Sequence, residues 1–155
     1  MIWEELNESL IMNHLDAKDS SDVFEKIGGT LIREGYAKDD YVDALIEREK
    51  DFPTGLDIGG IGIAIPHTSV DHVLKHGIAI ANLKHPVQFI QMGMDDEPVD
   101  AQLVFMMAVT DPGKHVDQLQ RLVDIIQDRD VLSRLLEADN QNEIISIIKD
   151  KEETL

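Results

Sequence analysis

The sequence predicts one α/β (α+β) domain spanning residues 1–155, a mixed central β-sheet flanked by helices on both faces. Three observations carry that expectation. Segments of helical period precede and follow a central block of strands, a layout that packs helices on a sheet rather than on one another. The central block holds four apolar runs of strand length, "IGIAI", "GIAIANL", "PVQFI" and "QLVFMMAV", separated by turn residues. The last run is apolar almost throughout, as a strand covered on both faces requires. With 43% hydrophobic and 29% charged residues and no repeat, low-complexity tract or linker, the chain is large enough to bury a sizeable core without staples.

Taken in order, residues 10 to 16, "LIMNHLD", read as a first strand closed by the polar cluster "AKDSSD". Asp22 with Glu25 three residues on reads as a capping box. Val23, Phe24, Ile27, Leu31 and Ile32 recur at helical period until Gly35 supplies a stop. A second helix starts near Asp39 or Asp40, carries Tyr41, Val42, Leu45 and Ile46 on one stripe, and ends before Pro53, because the residue before proline avoids the helical region. "PTGLDIGGIG" is a glycine-rich connection ahead of the strands. After "TDPGK" a helix places His115, Val116, Leu119, Leu122, Val123 and Ile126 on one side. Shorter helices follow at "DVLSRLLEA" and "NEIISIIKD", and "KEETL" reads as a fraying tail.

Composition removes several functions. Without cysteine there is no disulfide, thiolate metal site or cysteine nucleophile. No apolar run approaches the roughly 20 residues of a spanning helix, and "MIWEELNESL" lacks the basic start of a signal peptide, so a cytoplasmic chain without membrane insertion is expected. The formal net charge is -17, from 31 acidic and 14 basic residues. With no basic stripe, nucleic acid and anionic membrane are poor partners, and none is expected. Such a field steers in a basic protein, although acidity also serves solubility.

Six histidines supply the titratable groups nearest neutrality. His14, His76 and His85 sit in polar or turn-like surroundings and read as surface residues. His72 and His76 share an i, i+4 spacing that could grip a metal on a helix. However, HExxH is absent, "SVDHVLKHG" reads as a solvated turn, and a hydrolase built on His67, His72 and His76 lacks an acidic base at motif spacing. No metal or cofactor is called for. His67 follows a strand that ends at Pro66, with Gly59, Gly60 and Gly62 before it and Thr68 after it. It is rigidly presented there, and from spacing alone it is equally a functional imidazole or a plain strand-end residue. Neither GxxxxGK[ST] nor GxGxxG is present, so nucleotide binding has no support. Arg48, beside Glu47 and Glu49, reads as a surface ion-pair residue, and His115 as an ordinary residue at a helix start.

The succession "ALIEREKDFPTGL" then "IGIAIPHT" resembles the enzyme IIA components of the bacterial sugar phosphotransferase system, in the fructose, mannitol and galactitol branch (type 2). The resemblance extends over almost the whole chain, and "PVQFIQMGMDDEPVDAQLVFMMAV" looks most like the galactitol type. It implies a phosphotransferase/anion-transport-protein-like sandwich and an enzyme activity, protein-to-protein phosphoryl transfer through a phosphohistidine. His67 would accept the group from the phosphocarrier HPr and pass it to a cysteine of a cognate IIB component, which serves a membrane IIC in the uptake of galactitol or a related hexitol. The same resemblance makes Arg48 and His115 its partners at the site, and Thr54, Gly55, Pro66 and Thr68 candidate substrate-binding residues. It also leaves a regulatory protein, whose phosphorylation state controls protein partners, as the alternative. The residue types suit the chemistry: a neutral imidazole is both nucleophile and, once phosphorylated, leaving group. Phosphoryl transfer asks mainly for positioning and charge stabilisation, which an arginine fork and backbone N–H groups supply without a metal. A backbone carbonyl on the other ring nitrogen would fix the tautomer.

Overall fold

A computed structural model of the chain describes residues 1–111, 113–114 and 116–155. Five strands form one mixed sheet: β1 (Ile11–Leu15), β2 (Gly55–Ile58), β3 (Ile61–Ala64), β4 (Gly77–Ile90) and β5 (Pro98–Ala108), in the order β1-β4-β5-β3-β2. The β1–β4 and β3–β5 pairs are parallel, and β4–β5 and β2–β3 are antiparallel. On one face pack α2 (Ser20–Val23), α3 (Gly29–Arg33) and α4 (Tyr41–Asp51); on the other pack α1 (Ile2–Glu5), α5 (Val116–Ile126), α6 (Arg129–Glu137) and α7 (Gln141–Glu152). Strand β5 explains its apolar run. Val104 and Met106 enter the first core with Phe24, Leu31 and Tyr41, while Leu103 and Phe105 enter the second with Ile125, Leu132 and Ile147, all at most 4% exposed. Each such side chain contributes about 1.5–3 kcal/mol through burial.

The first helical segment starts earlier than its sequence suggests. Asp19, not Asp22, is the cap: its carboxylate accepts from Asp22 N at 2.8 Å, and Asp22 Oδ2 accepts from Lys18 N at 3.1 Å. A π turn over Phe24–Gly28 joins α2 to α3. The stop at Gly35 is as expected. Gly35 takes φ +83°, and Tyr36 N and Gly35 N donate to Leu31 O and Ile32 O, the 6→1 and 5→2 bonds of a Schellman ending. Helix α4 ends at Asp51, ahead of Pro53, also as expected.

Four further expectations are corrected. The glycine-rich "GLDI" is strand β2, not a connection. A side chain at Gly55 would lie 2.7 Å from Ile90 O, and one at Gly62 would collide with Asp100 O, so both glycines permit close strand approach. "GIAIANL" and "PVQFI" form one strand, β4, because Pro86 falls in a bulge between Asn82 and Val87 where its missing N–H costs no ladder bond. The tail is also anchored: α7 runs to Glu152, which is 0% exposed and accepts from Ile2 N at 3.0 Å and Trp3 N at 2.6 Å. His76, expected at the surface, has a side chain only 10% exposed, lying 3.9 Å from Glu5 Oε2.

Candidate functional site

Strand β3 delivers His67 onto a held backbone. Past Ala64 the chain stays extended, Pro66 O accepts from Met107 N at 3.0 Å, and His67 pairs in parallel with Met107 near the end of β5. The half-buried ring places Nδ1 2.9 Å from Ile65 O. A carbonyl oxygen only accepts, so Nδ1 is the donor, and in the neutral ring the lone pair lies on Nε2.

The two residues after His67 share a cleft with α4. Thr68, Ser69 and His72 line one side and Ala44, Glu47 and Arg48 the other, enclosing about 190 Å³. Glu47 is taken by Lys50 at 2.9 Å, and the Arg48 guanidinium stacks 5.0 Å from the Phe52 ring centre. Its Nε is shielded from solvent and has no hydrogen-bond acceptor among the described residues. A buried guanidinium donor without an acceptor is the exception in proteins, and a tetrahedral oxyanion fits its fork. The surface ion-pair role expected for Arg48 is therefore not what it does among the described residues. His72 Nδ1 lies 2.9 Å from Asp40 Oδ2, off the ring N–H axis, at the start of α4. A wider cleft of about 330 Å³ between α6 and α7 is lined by Glu137, Glu143 and Asp150 beside Arg134, which suits an anion poorly.

Beneath the cleft, Glu49 binds the turn that precedes β2. Its carboxylate accepts from Thr54 N at 2.9 Å and from Thr54 Oγ1 at 2.9 and 3.0 Å. Burial pushes the Glu49 carboxyl up from its ordinary value, and the bonds from Thr54, with Arg48 nearby, pull it partly back. Thr54 is 2% exposed and Gly55 is buried, so the donors of Thr54 are committed to Glu49, while Thr54 O accepts from Ile65 N at 3.1 Å. Thr68 is also buried and donates to Ser69 O at 2.9 Å; Pro66 is buried against β5. Tyr41, the first residue of α4, donates its hydroxyl to Met107 O at 2.7 Å, and burial pushes that phenol up. The structure thus brings Arg48, Thr68 and the residues around His67 together; His115 lies outside the described residues. Glu49, the second residue of the arginine-glutamate pair in "ALIEREKDFPTGL", and Tyr41 were given no role of their own from sequence. The only available signal for Glu49 was its place beside Arg48, and Tyr41 read as part of an apolar stripe. Among the described residues no three metal-ligating side chains converge, and no helix is long and apolar enough to cross a membrane.

This sheet with its flanking helices is shared with IIA proteins of known structure. The chain superposes on the mannitol enzyme IIA of Escherichia coli with a TM-score of 0.75 at 27% identity, covering 92% of this chain and 98% of that one. In the complex of the mannitol enzyme IIA with phosphorylated enzyme IIB from Escherichia coli, the match has a TM-score of 0.76 at 26% identity, covering 94% and 97%. The nitrogen regulatory protein IIA-Ntr of Neisseria meningitidis matches at 0.75 and 26%, covering 95% and 98%. Residues 4–151 match the family described as phosphoenolpyruvate-dependent sugar phosphotransferase system, EIIA 2, and the chain belongs to that family. Among its relatives, the galactitol-specific EIIA component of Escherichia coli (strain K12) is 32% identical over 118 residues, 76% of this chain and 78% of that protein. The fructose-specific EIIABC component of Bacillus subtilis (strain 168) is 32% identical over 151 residues, 95% of this chain but only 23% of that longer protein.

Proposed function

We propose that this EIIA chain is a cytoplasmic phosphoryl carrier in carbohydrate uptake, working through His67. The Nε2 lone pair attacks the phosphorus of phosphorylated HPr. An N–P bond forms on His67 as the donor's N–P bond breaks, and the donor imidazole leaves with its electron pair. Arg48 lies across the cleft to meet the charge on the phosphoryl oxygens, with His115 as a further donor. A cysteine thiolate of the IIB component then takes the phosphoryl group, and the His67 ring regains its lone pair. Galactitol or a related hexitol is the carbohydrate served. The observation that carries this reading is the Nδ1 to Ile65 O bond of 2.9 Å, which leaves Nε2 as the nucleophile.

Incubation with radiolabelled phosphoenolpyruvate and the upstream carriers tests it. The expected label is acid-labile, sits on His67, disappears in His67→Ala, and forms at least tenfold more slowly in Arg48→Ala. An acid-stable label, or undiminished labelling of His67→Ala, overturns it. The likeness to a nitrogen regulatory IIA favours a regulatory carrier as a second reading. Purified cognate IIB separates the two, since a transport component hands over its phosphoryl group and a purely regulatory one does not.

A further inference from the structure

We infer that Glu49 is a positioning residue for phosphoryl transfer, fixing the His67 imidazole against the Arg48 guanidinium through a three-step hydrogen-bond chain. The inference rests on the carrier reading above and adds a residue to it.

The chain is continuous. Glu49 accepts three contacts of 2.9–3.0 Å from the amide and hydroxyl of Thr54. Thr54 O accepts from Ile65 N at 3.1 Å. Ile65 O accepts from His67 Nδ1 at 2.9 Å. Each link passes through a single residue, and Thr54, the first of the two intermediates, is 2% exposed, so water does not compete for its groups.

Glu49 also follows Arg48 directly in the last turns of α4, about 100° further round the helix. One residue therefore faces the cleft while its neighbour bolts the same piece of helix to the extended pair that ends in His67. Without Glu49, α4 remains tied near the site by the Tyr41 hydroxyl at its first residue and by the backbone bond from Lys38 N to His72 O, both at the opposite end of the helix from Arg48. The end bearing the guanidinium is then free to drift, and a misplacement of about 1 Å costs roughly a hundredfold in rate.

The carboxylate here does not touch the phosphoryl group. A neutral amide oxygen in the place of Oε1 keeps the two contacts made there, from the Thr54 amide and hydroxyl, which separates positioning from charge. The test uses phosphoramidate, a small phosphoryl donor that needs no docking surface, alongside phosphorylated HPr. In Glu49→Ala the rate constant for His67 phosphorylation is expected to fall about ten- to a hundredfold with both donors, with the half-saturating HPr concentration unchanged. Glu49→Gln is expected to stay within about threefold of the parent. The His67 Nδ1–H resonance in nitrogen-15 NMR, slow to exchange in the parent, is expected to exchange rapidly in Glu49→Ala and slowly in Glu49→Gln. Thr54→Val, which keeps the amide link and removes the hydroxyl links, is expected to fall between them and decides the matter if Glu49→Ala does not fold. Parent-like rates and exchange in Glu49→Ala or Thr54→Val, or a Glu49→Gln as slow as Glu49→Ala, overturn the inference. Labelling that persists in His67→Ala overturns the carrier reading instead.

Discussion

Glu152→Ala removes an acceptor that the first turn of the chain depends on. Its carboxylate is fully buried, accepts from Ile2 N and Trp3 N, and lies 3.8 Å from Arg121 Nη1. Two bonds to a charged acceptor contribute about 1.5–3 kcal/mol each, an upper sum near 6 kcal/mol. Helix α1 has only four residues and can lift off, so the loss is capped by what its docking is worth, chiefly the burial of Ile2 at about 2–3 kcal/mol. We expect a loss of about 3 kcal/mol. For a chain of 155 residues that lowers Tm by roughly 6–12 °C. Urea and thermal unfolding by circular dichroism give the stability. Trp3, the only tryptophan, with the Lys149 ammonium 4.5 Å from its ring, reports release of α1 by fluorescence. Glu153→Ala, an exposed neighbour, serves as the control and should change little. A loss below about 1 kcal/mol with the Ile2 and Trp3 amides still protected from exchange would refute the reasoning.

Two further outcomes follow from the same structure. Because burial raises the Glu49 carboxyl above its ordinary 4.5, the native state holds that proton where the unfolded chain has lost it, so this group's contribution to stability falls as pH rises through the window above 4.5. Glu49→Gln should flatten that slope in urea titrations above pH 4.5, and an unchanged slope sinks the assignment. Asp22 and Asp128 act with the opposite sign: hydrogen bonds hold them below their ordinary 3.8, and their contribution is full above that value and lost as acid is added. At His14, φ is +56° in a non-glycine residue. His14→Asn should stabilise by about 0.5 kcal/mol and His14→Val destabilise by about 1–2 kcal/mol, measured by urea midpoint; equal midpoints for the two variants argue against backbone strain there.

Much of the fold was readable where a residue has one local meaning. Gly35 ends a helix because only a left-handed residue completes that turn, Pro53 ends the next, and Pro66 marks where β3 stops and His67 begins. The chain was misread where tertiary contacts set the meaning. Gly55 looks like a loop residue but allows strands to touch, and Pro86 looks like a strand break but falls on a bulge. Asp22 suits a cap by its spacing to Glu25, and only the bond from Asp22 N to the Asp19 carboxylate moves the cap back to Asp19. The site divides in the same way. His67 and Arg48 were reachable through motif and chemistry, whereas the partner of Glu49 lies across a turn, and a carboxylate beside an arginine suggests an ion pair on any surface helix. Glu152 carried no signal at all, because its partners are backbone amides at the other end of the chain.

The pairing of His67 with Met107 also bears on when the protein becomes competent during synthesis. Strands β4 and β5 meet as a local hairpin, but Ala64 reaches Val104 and Ile11 reaches Ile80 only by closing long loops, which is slow. A nascent polypeptide still short of residue 107 has no amide to hold Pro66 O and no carbonyl for the Tyr41 hydroxyl. On the ribosome the imidazole of His67 is therefore already made but not yet aimed, and the geometry of the candidate site arrives with β5 rather than with the residue itself.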